Sequence, residues 1–244
     1  MSSPCRTLEG ECRSCQARFG RLFCDLPDAA LADFERNSRP VVYPKGAILV
    51  AEGQEARGVY VVCSGRVKLV ATSAEGRSLI TQLVEPGEAI GLSAVVSGRE
   101  VLVSARALET TSVKFVTKSD FLEFLRAHGE VGFRVARHIA NSYHCAHNLV
   151  RSIALSSSAS EKLARLVIDR CDKEGVRVEA GIRVRFTLTH EEVAQMIGAS
   201  RETVTRALGS LRRQEIVSQR GAFLLVRDPE RLAALAQAEA APQI

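Results

Sequence analysis

Residues 189–208, THEEVAQMIGASRETVTRAL, constrain this chain more than any other stretch. They spell two short helices around a tight turn. Thr189 with Glu192 fits a capping box, so a helix should begin just after Thr189. Val193 and Ile197, four apart, share one apolar face of that helix. Ala194 is small where a second helix has to pass close. Gly198 falls where the chain must turn, and glycine takes a positive φ without strain. Ser200 offers the second helix an N-cap. Val204, Ala207, Leu208 and Leu211 line its buried side, which leaves Arg201, Glu202, Thr205 and Arg206 facing out. A helix N-terminus bearing two arginines, a glutamate and hydroxyls suits the base-pair edges of a major groove. An ordinary αα-hairpin with a solvated charged face has the same spacing. The residues that follow favour the first reading. Gln219-Arg220-Gly221-Ala222 is a turn between Ile216-Val217 and Phe223-Leu224-Leu225-Val226, a β-hairpin directly after the helix pair. That is a winged helix-turn-helix. The candidate contacts to double-stranded DNA are Thr189, Ser200, Arg201, Glu202, Thr203, Thr205 and Arg206, with Arg212 at phosphate distance.

Charge agrees with a local basic surface. The 244 residues carry a net charge of only +5, which excludes a histone-like protein. Residues 200–220 nevertheless hold five arginines against two glutamates. No apolar run approaches the ~20 residues of a membrane span, and the polar start has no signal-peptide core. No membrane partner and a cytoplasmic location are expected.

The rest of the chain reads as an α+β protein. Residues 1–25 are a polar, cysteine-rich leader. A short helix over 26–36 turns Leu31 and Phe34 inward, with Pro27 near its first turn. From Val41 to Thr117 short β-rich runs alternate with glycines, including a run at Val101–Val103. That rhythm predicts a small all-β roll or sandwich. Ser119 is read as the cap of a helix that ends before Gly129. A long helix follows, over 131–155. Val135, Ile139, Ser142, Ala146, Leu149 and Ile153 recur on it at alternating four- and three-residue spacing, the a/d seam of a two-stranded coiled coil. The stripe could instead pack on its own roll. Its narrowness and small members favour a twin helix, hence a homodimer. Ser156-Ser157-Ser158 marks a hinge, and residues 160–172 open the last domain. The domains expected are 1–25, leader; 26–128, β-roll; 129–156, dimerisation helix; 157–244, winged helix-turn-helix.

RETVTR after the IGAS turn resembles the CRP/FNR family of bacterial transcription regulators. The likeness covers nearly the whole chain. KGAILVAEG, VYVVCSGRVKL and PGEAIGLSAV resemble the family's cyclic-nucleotide-binding-like jelly roll, and ALETTSVKFV resembles its FNR branch. The resemblance implies a homodimeric DNA-binding regulator that works with RNA polymerase. It also implies that Arg201, Glu202 and Arg206 occupy the base-reading positions. CRP-type readers correspond to a TGTGA-like half-site and FNR-type readers to TTGAT, so an inverted repeat with a TGA-containing core is expected.

For the signal, the family offers a cyclic nucleotide, an iron–sulfur cluster, or neither. Its nucleotide sites carry a glutamate after a glycine and an arginine clamp for the phosphate. Here Gly91 is followed by Leu92, and Val101-Leu102 fall at the clamp, so cyclic AMP is not expected. Cys12, Cys15 and Cys24 resemble the N-terminal cysteine trio of FNR-type oxygen sensors. The second gap is eight residues rather than the family's five, and Lys114 stands where the family's roll cysteine falls. Cys5 or Cys63 would have to supply the fourth thiolate of a [4Fe–4S] cluster. A Zn²⁺ site or plain reduced thiols are the competing readings, and a metal or cluster at Cys12, Cys15, Cys24 and Cys5 is the one expected. A thiol oxidoreductase using Cys12 and Cys15 is disfavoured, because no βαβ pattern accompanies them.

Overall fold

The computed structural model describes residues 12, 15, 21–155 and 158–237, except for the side chains of Ser152, Leu155 and Gln237. Cys5, Ser156 and Ser157 lie outside the described residues. The chain divides into two compact units, Met1–Ala146 and His147–Ile244.

The first unit begins with α1 (Asp28–Asn37), whose first turn follows Pro27. Strands β1 (Ser38–Tyr43), β2 (Ile48–Val50), β3 (Gly58–Ser64), β4 (Val67–Thr72), β5 (Ser78–Val84) and β6 (Ala89–Ile90) come next. Then follow α2 (Leu92–Ser97), β7 (Ser104–Ala107), β8 (Thr111–Thr117), α3 (Lys118–Ala127) and α4 (Gly129–Leu155). The strands form two antiparallel sheets, ordered β1-β8-β3-β6 and β2-β7-β4-β5. Val59, Val62, Val67, Val84, Ala105 and Val113 from both sheets belong to one core. Gly58 is dictated by closeness: a Cβ there would meet the carbonyl oxygen of Val116 on β8 at 2.0 Å.

Helices seal one end of this core with aromatic rings. Phe23 stacks on Phe34 at 5.4 Å and meets Phe121 edge-on at 5.8 Å, while Phe34 lies 5.9 Å from Phe124. Val131 and Val135, in the first turns of α4, complete the cluster.

Two local expectations are corrected. Val101–Val103 is not a strand: Val101 is buried, Leu102 is 78% exposed, and pairing starts at Ser104, where β7 joins β2 and β4. The cap of α3 is Thr117, whose hydroxyl accepts from the Asp120 N–H, and Ser119 lies inside the helix. Thr117 is still extended as the last residue of β8, which is the backbone an N-cap needs.

The expected seam on α4 is partly covered by its own chain. Val135 is only 2% exposed within the roll core, and Ile139 packs against that core. Ile153 lies beside Gly198. The exposed apolar line is displaced round the helix: Phe133 is 72%, Tyr143 64% and Val150 62% exposed. With Ala136, Ala140, His147 and Ala154, also exposed, these residues repeat at three- and four-residue spacing.

The second unit contains α5 (Ala159–Glu174), β9 (Val176–Val178), β10 (Gly181–Arg185), α6 (His190–Ile197), α7 (Arg201–Arg213), β11 (Val217–Arg220), β12 (Phe223–Val226) and α8 (Pro229–Gln237). Ser158 caps α5 by accepting from the Glu161 N–H. The strands form a sheet ordered β11-β12-β10-β9. Leu163, Val167, Val193, Val204, Leu208, Leu211, Leu224 and Leu232 are all buried, so α5 to α8 and the hairpin share an interior. Strands β9 and β10 were not read from the sequence. They are exposed and arginine-rich, so alternation marks only Val184 as buried.

Candidate nucleic-acid interface

Helix α6 starts at a complete capping box. The Thr189 hydroxyl accepts from the Glu192 N–H at 3.2 Å, and the Glu192 carboxylate accepts from the Thr189 N–H at 2.9 Å. The helix ends at Gly198 with φ +63°, where an L side chain would be strained. Ser200 then accepts from the Thr203 N–H at 3.2 Å and starts α7. Val193, Ala194 and Ile197 of α6 and Val204, Ala207, Leu208 and Leu211 of α7 are buried. The burial leaves Arg201, Glu202, Thr205 and Arg206 exposed on one face. Thr203 is half-buried and anchored to Ser200, and the Arg206 guanidinium donates to Thr203 Oγ1 at 3.4 Å. Thr189 is exposed beside this face at the mouth of α6.

The electrostatics favour an anionic, amine-rich partner. Glu202 is held below the usual carboxylate range by its own backbone N–H and by the Ser200 hydroxyl, with smaller help from Arg201 and Arg206. It is therefore an ionised acceptor, able to take a proton donor such as a cytosine amine. Arg212 and Arg213 occupy the last turn of α7, and Arg220 sits at the tip of the hairpin. Arg212 donates to Gln219 across to β11, a contact absent from the sequence reading. A cavity of about 510 Å³ lies there, lined by Arg212, Glu215, Gln219 and Arg227 among others. His190 is a second omission. Its ring nitrogen lies 2.8 Å from Thr205 Oγ1, a contact between residues 15 apart that helical periodicity does not report.

The cysteine residues are placed differently from the expectation. Among the described residues no group of three or more His, Cys, Asp or Glu side chains is arranged to hold a metal ion. Cys12, Cys15 and Cys24 are each partly buried but are not gathered into one site. Cys12 instead packs on the roll core, its N–H donating to Glu35. Lys114 Nζ lies 3.5 Å from the same Glu35 carboxylate, and it neighbours Cys63 electrostatically. Burial pushes the Cys12 thiol up against the pull of Lys114, so it is a neutral thiol beside an ammonium. The ammonium is an adverse field for a metal cation, and burial rather than Lys114 is what opposes loss of the thiol proton. Cys171 is raised to about 11 by burial and by Asp172.

The residues that the family resemblance sets at the nucleotide site are apolar. Leu92 and Val101 are in the core, and Leu102 projects into solvent. Arg99 is exposed in the turn after α2, its N–H donating to Ser97 Oγ at 3.3 Å.

A capped, outward-facing second helix beside a β-hairpin, placed after a β-roll, defines a DNA-binding transcription regulator. Residues 40–128 match the cyclic nucleotide-binding domain family, and residues 161–235 match the Crp-like helix-turn-helix domain. The chain is 25% identical over 217 residues to the CRP-like cAMP-activated global transcriptional regulator of Mycobacterium tuberculosis, covering 89% of this chain and 96% of that one. It is 28% identical over 190 residues to the Cyclic AMP receptor protein of Thermus thermophilus, covering 78% and 82%. The structure of FixK2 from Bradyrhizobium japonicum shares the fold, with a TM-score of 0.74, 24% identity, and coverage of 83% of this chain and 99% of that one. The chain belongs to the CRP/FNR family of transcription regulators. No helix among the described residues is long and apolar enough to cross a membrane.

Ser200 is the residue on which the start of α7 turns. Ser200→Ala should cost about 0.5–2 kcal/mol, readable in denaturant unfolding. It should also raise the Glu202 pKa, since a hydrogen bond to the ionised form is lost. The sign follows from the depressed native value. Glu202's contribution to stability is complete above the ordinary carboxylate pKa and is lost as pH falls through the lower native one. An NMR titration of Glu202 should therefore give a midpoint below that of an unstructured glutamate peptide, and closer to it in the variant.

Proposed function

We propose that the protein is a homodimer that binds an inverted-repeat operator with a TGA-containing core. The exposure of Arg201, Glu202 and Arg206 together on one capped helix carries this reading. Arginine can bond bidentately to guanine O6 and N7, and glutamate can accept from cytosine N4. Two arginines and one glutamate on one face thus ask for guanines with a nearby cytosine across the strands. Thr189, Ser200 and Thr203 serve the helix ends and the backbone nearby. Arg212, held toward the hairpin by Gln219, would meet the phosphates. Once on DNA, the dimer would present its remaining surface to RNA polymerase.

The twin helix is best accommodated on the exposed line of α4, at Phe133, Ala136, Ala140 and Tyr143, which continues at Val150. Ser142, Ala146, Leu149 and Ile153 flank that line, whereas Val135 and Ile139 serve the chain's own roll. Large rings alternating with alanines let two helices approach closely and interlock.

The signal is assigned to the leader, because Cys12 ties it to α1 through Glu35 and to β8 through Lys114. A redox change at the leader cysteines would be felt there. Among the described residues Cys12, Cys15 and Cys24 are not gathered to hold an iron–sulfur cluster or other metal, and Cys5 lies outside them. The apolar Leu92 and Val101 likewise speak against cyclic AMP.

Four experiments test this. Selection of bound sequences from random DNA should return an inverted repeat with TGA in each half, the halves ~34–36 Å apart. A non-palindromic motif, or one without TGA, overturns the reading. Arg206→Ala should lose roughly 1–3 kcal/mol and relax choice at the core guanine, while Arg212→Ala weakens all sequences alike. Tyr143→Glu would set like charges against each other at the twofold axis. That variant should sediment as a monomer, and Val135→Ala should stay dimeric but melt earlier. Protein purified without oxygen should lack visible absorption. About four irons per chain, lost on Cys12→Ser, would show that the leader rearranges around a cluster.

A further inference from the structure

We propose that Thr205 reads a thymine through its methyl group, and that His190 is the positioning residue that holds it so. The inference rests on the reading of α7 as the base-reading helix and deepens it. Thr205 Oγ1 lies 2.9 Å from the carbonyl oxygen of Arg201, one turn back on α7. It also lies 2.8 Å from Nδ1 of His190, the first residue of α6. A carbonyl can only accept, so the single hydroxyl proton goes to Arg201. His190 must then be the donor, with its proton on Nδ1, and Thr205 accepts it. This is the one arrangement in which both contacts are hydrogen bonds.

The consequence is chemical. A free threonine hydroxyl can donate to or accept from almost any base edge and so discriminates poorly. Here its proton is committed to the backbone and a lone pair to an imidazole from the neighbouring helix. The uncommitted part of the side chain is the Cγ2 methyl, on a residue exposed beside Arg206. In the major groove the apolar partner for such a group is the C5 methyl of thymine, which no other base carries. A thymine next to the guanine taken by Arg206 is the T-G step of the proposed core. Serine could make both hydrogen bonds but would have nothing left to contact that methyl. His190 acts only through Thr205, by keeping the hydroxyl turned away from the bases.

The probe is the operator obtained by selection, with each thymine replaced in turn by deoxyuridine, which differs only by the methyl. One thymine in each half-site should show a loss of roughly 4-fold in affinity on replacement, the ratio that burying one such carbon supplies. Thr205→Ser should bind the thymine and uracil forms equally, near the wild-type affinity for uracil. His190→Ala, folded by circular dichroism, should bring the thymine-to-uracil ratio toward one. His190→Asn, whose amide can donate from the same place, should restore it. If no position responds to uracil, or if the response persists in Thr205→Ser, the methyl contact is wrong. If it persists in His190→Ala, the positioning role is wrong. Failure to select any operator would instead remove the DNA reading beneath both.

Discussion

The left-handed turn at Gly198 fixes how α7 leaves α6, and every outward side chain of the interface inherits its direction from that turn. With φ at +63°, the position accepts glycine far more readily than any other residue. The turn lets Ala194 and Val204 meet in a shared interior while Ser200 closes the exposed N–H groups of α7. Arg201, Glu202, Thr205 and Arg206 are then left on one side because the other side is full. The interface is therefore a by-product of packing, and its precision is that of the buried face behind it.

Polar contacts refine what packing leaves exposed. Glu202 is kept ionised by the end of its own helix and by Ser200, so its role as an acceptor is fixed before any ligand arrives. Thr205 is oriented by a residue of the preceding helix, and Arg212 by a residue of the hairpin that follows. Three successive elements thus each set one side chain of the same surface. Such preorganisation lowers the entropy lost on binding and sharpens the difference between a right and a wrong base.

The roll solves a different problem. A lysine and a glutamate, both largely buried, share a site with a leader cysteine on the outer face of the β1-β8-β3-β6 sheet. Burial works against the charge of each, but the local partners prevail: Glu35 is lowered, first by the Cys12 N–H and then by Lys114, and Lys114 is raised, first by Cys12 and then by Glu35. Where the family resemblance would place a sulfur ligand, this chain holds an ammonium that neighbours Cys12 and Glu35.

Local signals in the sequence determined a great deal. The capping box at Thr189, the turn at Gly198, the Ser200 cap, the hairpin at Gly221 and most of the strands between Val41 and Thr117 were all legible, because each acts within a few residues along the chain. The cap at Thr117 was misread as Ser119 for the same reason: two hydroxyls stand two apart, and only the backbone of β8 chooses between them. Contacts across the chain had no such signature. The stripe of α4 covered by its own roll, the strands β9 and β10, the Glu35–Lys114 pair 79 residues apart and the His190–Thr205 bond are in this class. Periodicity says which residues of a helix share a face, but not what that face meets, so a seam with correct spacing on α4 was set partly against its own domain. Which residues could read DNA was written in the amino-acid order. Which way they face, and which hydrogen bonds they have already given away, depended on neighbours that only the folded chain brings within 3 Å.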